Sequence, residues 1–398
     1  MDGIIAPVPG NQIFARPLFD ASHQALRSEI GAFLDAEIVG AHEGWIEAGT
    51  TCPPEIWARA GAAGLLRRNL AVRYGGAGGD FRDAVVVIEE LAARRLSGLP
   101  SFLQSDILMP FLTRLGRADQ KAAYLPRLAS GELLGAVALT EPHSGSDLHA
   151  IRTTAKRVPG GFELNGVKTH VSNGRGAGLI IVAARTSEAA GQATPGLSLF
   201  VVEAPCPGLQ RSPIDKVGMA ALETAELRFD RCLLPGTALL GPEGMGFIYL
   251  MTSLVIERLV LAIYAQAAAE AQLRALIAHC DARKTAAGTL LGFQHIRFQL
   301  ADLFGDCAAN RTFVDHCIGD HLAGRLDPRL ACTAKLRASE TQKQVAALGV
   351  QLRGADGVGG PVGKRAMRDL ADASAQTIWG GSSEIMRDLI GGSLANLL

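Results

Sequence analysis

The sequence predicts a mainly helical fold with a β-domain set into its middle. Residues 247–269, FIYLMTSLVIERLVLAIYAQAAA, are apolar nearly all round and contain no Pro or Gly, the pattern of a helix buried in a large protein. Residues 133–240 break instead into short β-like runs bounded by Gly, Pro, Asn and Asp. The flanks on both sides return to helical periodicity. This order implies an N-terminal helical domain over 1–134, a β-domain over 135–243 and a helical bundle over 244–398.

In chain order, Ser22 is the expected N-cap of a first helix running to Leu34. Pro53 and Pro54 open a second helical segment, EIWARAGAAGLL. After the Gly-rich break YGGAGGDF, the run DAVVVIEELAARR is expected to place apolar residues on one face and charges on the other. Gly116 and the polar run 117–121 separate two further helices. The β-like runs are LLGAVALT, FELNG, KTHVSNG, LIIVAAR, LSLFVVEA and TAELRFDRCLL, enough for a small antiparallel barrel or sandwich. GPEGMGF closes that domain. Long helices are expected over 247–275, 292–320 and 328–353, with a final one from about Ser382, and together they imply a four-helix bundle.

Composition excludes several functions. Thirty-nine basic residues balance 39 acidic ones, so a strongly basic nucleic-acid binder is not expected. The seven cysteines are scattered, without CxxC or a Cys/His cluster, which points to neither a disulfide framework nor a metal site and fits a reducing, cytoplasmic location. The N-terminal residues lack the charged-then-apolar order of a secretory signal. Only the 247–269 stretch approaches the length of a membrane span, and the Glu257–Arg258 pair at its middle argues against one.

That pair is the first chemical signal. Leu250, Leu254, Glu257 and Leu261 step by 4, 3 and 4, so Glu257 occupies an apolar register. Adjacent residues on a helix do not face each other, so Arg258 does not simply neutralise it. A carboxyl in such surroundings has a raised pKa, which suits a proton acceptor near neutral pH. A glutamate paired with a distant cation in a bundle is the structural alternative.

The second signal is ALTEPHSGSD at 138–147, where a β run enters a turn with exposed amides and hydroxyls, suited to phosphates or a polar ring. With the segments around it, this stretch resembles the flavin signature of the acyl-CoA dehydrogenase family. RYGGAGGDF with IEELAARR, LGRADQKAAYLPRLASGELLGAVALTEP, GFELNGVKTHVSNG, FDRCLLPGTALLGPEGMGF, ARKTAAGTLLGFQ, QLRGADG and IWGGSSEIMRDLIG match further family segments in order.

The resemblance implies the family fold, of N-terminal helices, a central β-barrel domain and a C-terminal four-helix bundle, binding FAD in a homotetramer. By position, it places Leu139 and Thr140 on the flavin ring, Ser146 near flavin and thioester, and His170 and Ser172 beside the flavin. It places Arg283, Thr285 and Gln294 where a partner subunit's cofactor is reached, Gln351 and Gly354 at the adenosine end, and Ser382 and Glu384 at the last flavin-binding turn. Arg258, Gly380 and Gly381, with Ser146, fall on the substrate side.

Some positions depart from the family. His170 stands where Trp is usual. Ala286, Ala287 and Gly288 replace Phe-Gly-Lys, Ala220 and Leu222 replace an Arg and a Ser, and Ala355 replaces a Gly. Where many members carry the catalytic base in aromatic-Glu-Gly-Thr, this chain has Trp379-Gly380-Gly381-Ser382. A branch including isovaleryl-CoA and long-chain acyl-CoA dehydrogenases carries its glutamate in Glu-Arg-Leu on the first long bundle helix, and here Glu257-Arg258-Leu259 matches it. The implied reaction is α,β-dehydrogenation of an acyl thioester, with Glu257 as catalytic base, acyl-CoA or an acyl-carrier thioester as substrate and an electron-transfer flavoprotein as acceptor. A flavin monooxygenase of the same fold is the alternative.

Overall fold

The computed structural model describes residues 15–186 and 196–397. Six helices precede the sheet: α1 Ala21–Glu37, α2 Val39–Glu47, α3 Pro54–Ala62, α4 Phe81–Ala93, α5 Met109–Leu115 and α6 Ala118–Ser130, with a π-helical segment at Leu103–Leu108. The first cap is not Ser22. Asp20 accepts from the Ser22 and His23 amides, because its extended backbone aims the carboxylate at them. The largest departure lies in α4, whose charges were expected outside. Glu89 and Glu90 are buried, and the helix is wrapped on all sides. Arg16, Arg27 and Arg311 supply the counter-charges, at 2.8, 2.6 and 2.7 Å from Glu89.

The sheet comprises β1 Gly135–Ala138, β2 Thr154–Val158, β3 Gly161–Ser172, β4 Leu179–Arg185, β5 Leu197–Glu203, β6 Leu209–Pro213, β7 Thr224–Pro235 and β8 Leu239–Leu240. Its order is β6-β7-β3-β2-β4-β5-β8. It is mixed rather than purely antiparallel, since β1 and β2 both lie parallel along one edge of β4. The runs FELNG and KTHVSNG form one strand, β3, bent against β7 by register shifts at 164–166 and 168–171. β2 and β6, TAKRV and LQRSP, are too polar to announce themselves as strands. Apolar clusters cover both faces of the sheet, one shared with α5 and α6.

A single 37-residue helix, α7 (Gly246–Ala282), leaves the sheet. The hairpin of β9 Lys284–Thr285 and β10 Gly288–Thr289 follows, then α8 Gln294–Leu322, α9 Pro328–Gln351, α10 Gly360–Gln376 and α11 Ser383–Gly391. α10 completes the bundle with α7, α8 and α9; its Gly-Pro start and charged face hid it among loop signals. By length and composition α7 is apolar enough to cross a membrane. Its middle instead packs against α4, α8 and α9, buried without interruption over 258–269. Its first turns are not enclosed as the all-apolar pattern suggested: Ile248 and Met251 are exposed. All seven cysteines are free thiols.

Candidate active site

Glu257 sits about a third of the way along α7, where the helix passes from partly exposed turns into the core. Its surface is half-buried, yet protein crowds the carboxyl closely. Burial pushes its pKa up to about 7, against the lowering influence of Arg258 and Lys335. Arg258 is buried beside α9 and directs its Nη1 to Cys332 Sγ, 3.5 Å away.

The turn between α10 and α11 closes over this carboxyl. Gly380 and Gly381 adopt φ of +59° and +97°, conformations that favour glycine. A Cβ at Gly380 would lie 3.4 Å from Glu257 Oε1 and only 2.1 Å from Leu261 Cδ1. The two positions, 123 residues apart, are thus neighbours, and Leu261 fills the space a side chain at 380 would need. Lys335 Nζ on α9 donates to Gly381 O at 2.6 Å. Trp379 Nε1 donates to Gln376 Oε1 at 2.8 Å, and Ser382 caps α11 by accepting from Ile385 N at 3.3 Å. Glu384, in the first turn of α11, is exposed.

A second group forms the rim of the sheet. The Thr169 amide donates to Thr140 O at 2.9 Å, which sets Leu139 and Thr140 beside His170. His170 is exposed, at φ +54° in the bulge of β3, with Ser172 two residues on. Ser146 is exposed in the same loop. Two residues that were not singled out hold this rim. Lys168, fully buried, bonds Leu139 O at 2.9 Å and Glu141 Oε1 at 2.8 Å. Glu141 also accepts from the Arg152 and Thr153 amides, at 2.7 and 2.9 Å. Burial would raise the Glu141 carboxyl, but Lys168 holds it below its usual range. The Glu in TEP was the available signal; its partner, 27 residues away on β3, was not legible.

The β-domain reaches the bundle through His149 and Met219. His149 packs against Phe247 at the start of α7, the rings tilted by 46° with centroids 4.4 Å apart. The Met219 amide donates to Asp372 Oδ1 on α10 at 2.5 Å, and burial pushes that carboxyl up to about 6.

A third group lies elsewhere. Arg283 ends α7, Thr285 turns the hairpin, Gln294 opens α8, and Gln351 and Gly354 follow α9. Arg283 Nη1 lies 3.8 Å from Asp356 Oδ2, which brings both segments to one exposed end of the bundle. At 1.5 Å per residue along α7, that end is about 39 Å from Glu257. The residues expected to bind one cofactor are therefore split between two places in the chain.

Family profiles account for nearly all of the chain: acyl-CoA dehydrogenase, N-terminal domain at residues 20–132, middle domain at 136–232 and C-terminal domain at 244–395. The chain belongs to the acyl-CoA dehydrogenase family. It is an oxidoreductase that dehydrogenates acyl-CoA. It is 39% identical to the long-chain specific acyl-CoA dehydrogenase, mitochondrial, of Rattus norvegicus, over 94% of this chain and 87% of that protein. The structure of an acyl-CoA dehydrogenase from Geobacillus kaustophilus superposes with a TM-score of 0.91 at 36% identity, covering 96% of this chain and all of that one (100%). A glutaryl-CoA dehydrogenase from Mycobacterium smegmatis in complex with FADH2 gives 0.87 at 28% identity, covering 95% and 96%.

Proposed function

We propose that Glu257 is the base that takes the α-proton of the acyl-CoA, and that the chain works with FAD. One observation carries this reading: the Glu257 carboxyl stands 3.4 Å from where a side chain at Gly380 would begin. A base on α7 thus reaches the space that faces the turn, which has no side chain of its own to offer. A carboxyl with a pKa near 7 is matched to proton transfer at neutral pH.

The residues present fit a flavin between rim and bundle. Thr140, Ser146 and Ser172 offer hydroxyls and amides, and Asn173 Nδ2, next to Ser172, is buried without a hydrogen-bond partner. The glycine turn adds no side chain of its own in front of Glu257, and Leu261 lines the space there. When bound, the flavin supplies the acceptor for the β-hydride. Glu257 holds the α-proton, and the Gly380 amide is the donor available to the thioester oxygen, where negative charge develops. An electron-transfer flavoprotein is the fitting acceptor, as the family resemblance implies.

The distance along α7 supports an assembly of at least two copies, and the family resemblance implies a homotetramer. Arg283, Thr285, Gln294, Gln351 and Gly354 stand too far from Glu257 to hold the same flavin, so they serve the cofactor of a neighbouring copy. The free thiols support a reducing, cytoplasmic setting.

Anaerobic mixing with acyl-CoA tests the reading. The wild-type holoprotein should bleach its flavin, and Glu257→Gln should retain FAD but reduce it 10²–10⁴-fold more slowly, on the order expected for a lost general base. Normal bleaching by Glu257→Gln removes the assignment.

A further inference from the structure

We propose that Lys335 is a positioning residue for this reaction: from α9 it holds the Gly380–Gly381 turn against Glu257 and supplies the second cation facing that carboxyl. The inference rests on Glu257 being the base.

Lys335 is only 1% exposed. Taking an ammonium out of water is costly, and a buried lysine ordinarily has a carboxylate beside it, as Lys168 has Glu141 at 2.8 Å in this same chain. Lys335 does otherwise. Its hydrogen bond goes to a backbone carbonyl, Gly381 O, at 2.6 Å, a charge-assisted bond. Among the described residues it makes no ion pair within 4 Å. The turn it grips centres on two consecutive left-handed glycines; Trp379 and Ser382 anchor its flanks, but positions 380 and 381 have no side chain to do so. Lys335 ties the glycines themselves to α9 and so fixes the Gly380 amide relative to the base.

The charges around the pair are few. Glu257 faces Arg258 on its own helix and Lys335 on α9. Lys335 is surrounded by Glu340 on α9, Arg258 and Glu257 on α7, and Glu384 on α11. Glu340 is drawn off towards Arg387 at 3.4 Å, and Arg258 towards Cys332. Lys335 is therefore the cation that touches the turn and faces the carboxyl together. Burial lowers its own pKa to about 8, so it is charged where Glu257 titrates. A cation there favours the ionised, proton-accepting form of the glutamate.

Stopped-flow flavin reduction by acyl-CoA across pH, on the holoenzyme, tests this with Lys335→Met, Lys335→Gln, Lys335→Arg and Glu257→Gln. Lys335→Met should slow reduction about 10–100-fold, the scale of a displaced reacting group, with FAD content unchanged and the acid limb of the profile moved to higher pH. Lys335→Gln keeps a donor for Gly381 O without the charge, so it should regain part of the rate and keep the shifted limb. Lys335→Arg keeps the charge, and its limb should stay at the wild-type position. If Lys335→Met does not fold, the Gln and Arg variants make the comparison. Limbs that coincide with wild type in the neutral variants reduce Lys335 to a packing residue, however much stability is lost. That outcome, with Glu257→Gln inactive, removes this inference alone; an active Glu257→Gln removes the base itself.

Discussion

With burial holding its pKa at about 7, Glu257 is half-ionised at neutral pH, and its base form gains as pH rises. Flavin reduction in the wild type should therefore climb through pH 7 and level off above it, as a stopped-flow pH series would read. The same group weighs on stability with a definite sign. Its folded pKa lies above the unfolded value of 4.5, so the folded protein carries no penalty below pH 4.5 and the full penalty above pH 7. Glu257→Gln should be more stable than wild type by on the order of 3 kcal/mol at pH 8, and equal to it near pH 4, in denaturant melts. A glutamate kept for a structural ion pair would give the opposite result. Gly380 is constrained just as closely. Gly380→Ala meets Leu261 at 2.1 Å and a left-handed backbone, and should cost about 1–3 kcal/mol. Gly380→Glu cannot simply move the base to the turn; the relocated carboxylate needs Leu261→Ala as well, and calorimetry on the single and double variants would show it. Glu257 was legible in the sequence because a charge in an apolar register stands out. Lys168 and Lys335 were not, because their partners are a loop carboxylate and a backbone carbonyl far along the chain.

Among the elements, α4 is the one whose packing the sequence concealed. Its charges looked like a solvated face, and only the approach of Arg16, α1 and α8 makes them interior. Arg311 on α8 bridges Glu89 on α4 and Glu270 on α7, at 2.7 Å to each, so the N-terminal helices are fastened to the bundle through ions. Burial would raise Glu89, but Arg16, Arg311 and Arg27 hold it far below the usual carboxylate range. Glu89→Gln takes one of two carboxylate partners from each of Arg16, Arg27 and Arg311, the first and last of them buried, and should cost roughly 3–5 kcal/mol, read from urea melts. In the wild type this contribution is present above the ordinary glutamate pKa of 4.5 and is lost as pH falls below it. The strands divide similarly. LIIVAAR and LSLFVVE declared themselves by β-branched and aromatic residues, whereas β2 and β6 are strands only because β3 and β7 pair with them.

At the scale of the molecule, the separation along α7 decides what an isolated chain can do. On the proposed reading, Arg283→Ala, at an exposed site remote from Glu257, should lower FAD occupancy and loosen the proposed assembly while leaving the folding of the subunit intact, as absorbance and light scattering would show. A monomer with full FAD occupancy would refute the shared arrangement. The sequence motifs pointed to this end of the bundle only through family resemblance; the distance that gives them meaning required the long, unbroken helix.

On the same reading, that helix makes cofactor loading a matter of concentration. A flavin held jointly by two copies is bound only by chains already associated, so association and flavin binding reinforce each other by mass action. Dilution alone should then release flavin, and the thermal midpoint should rise with protein concentration as well as with added FAD. A cell making little of this protein would hold much of it empty unless its flavin supply were high enough to draw the chains together.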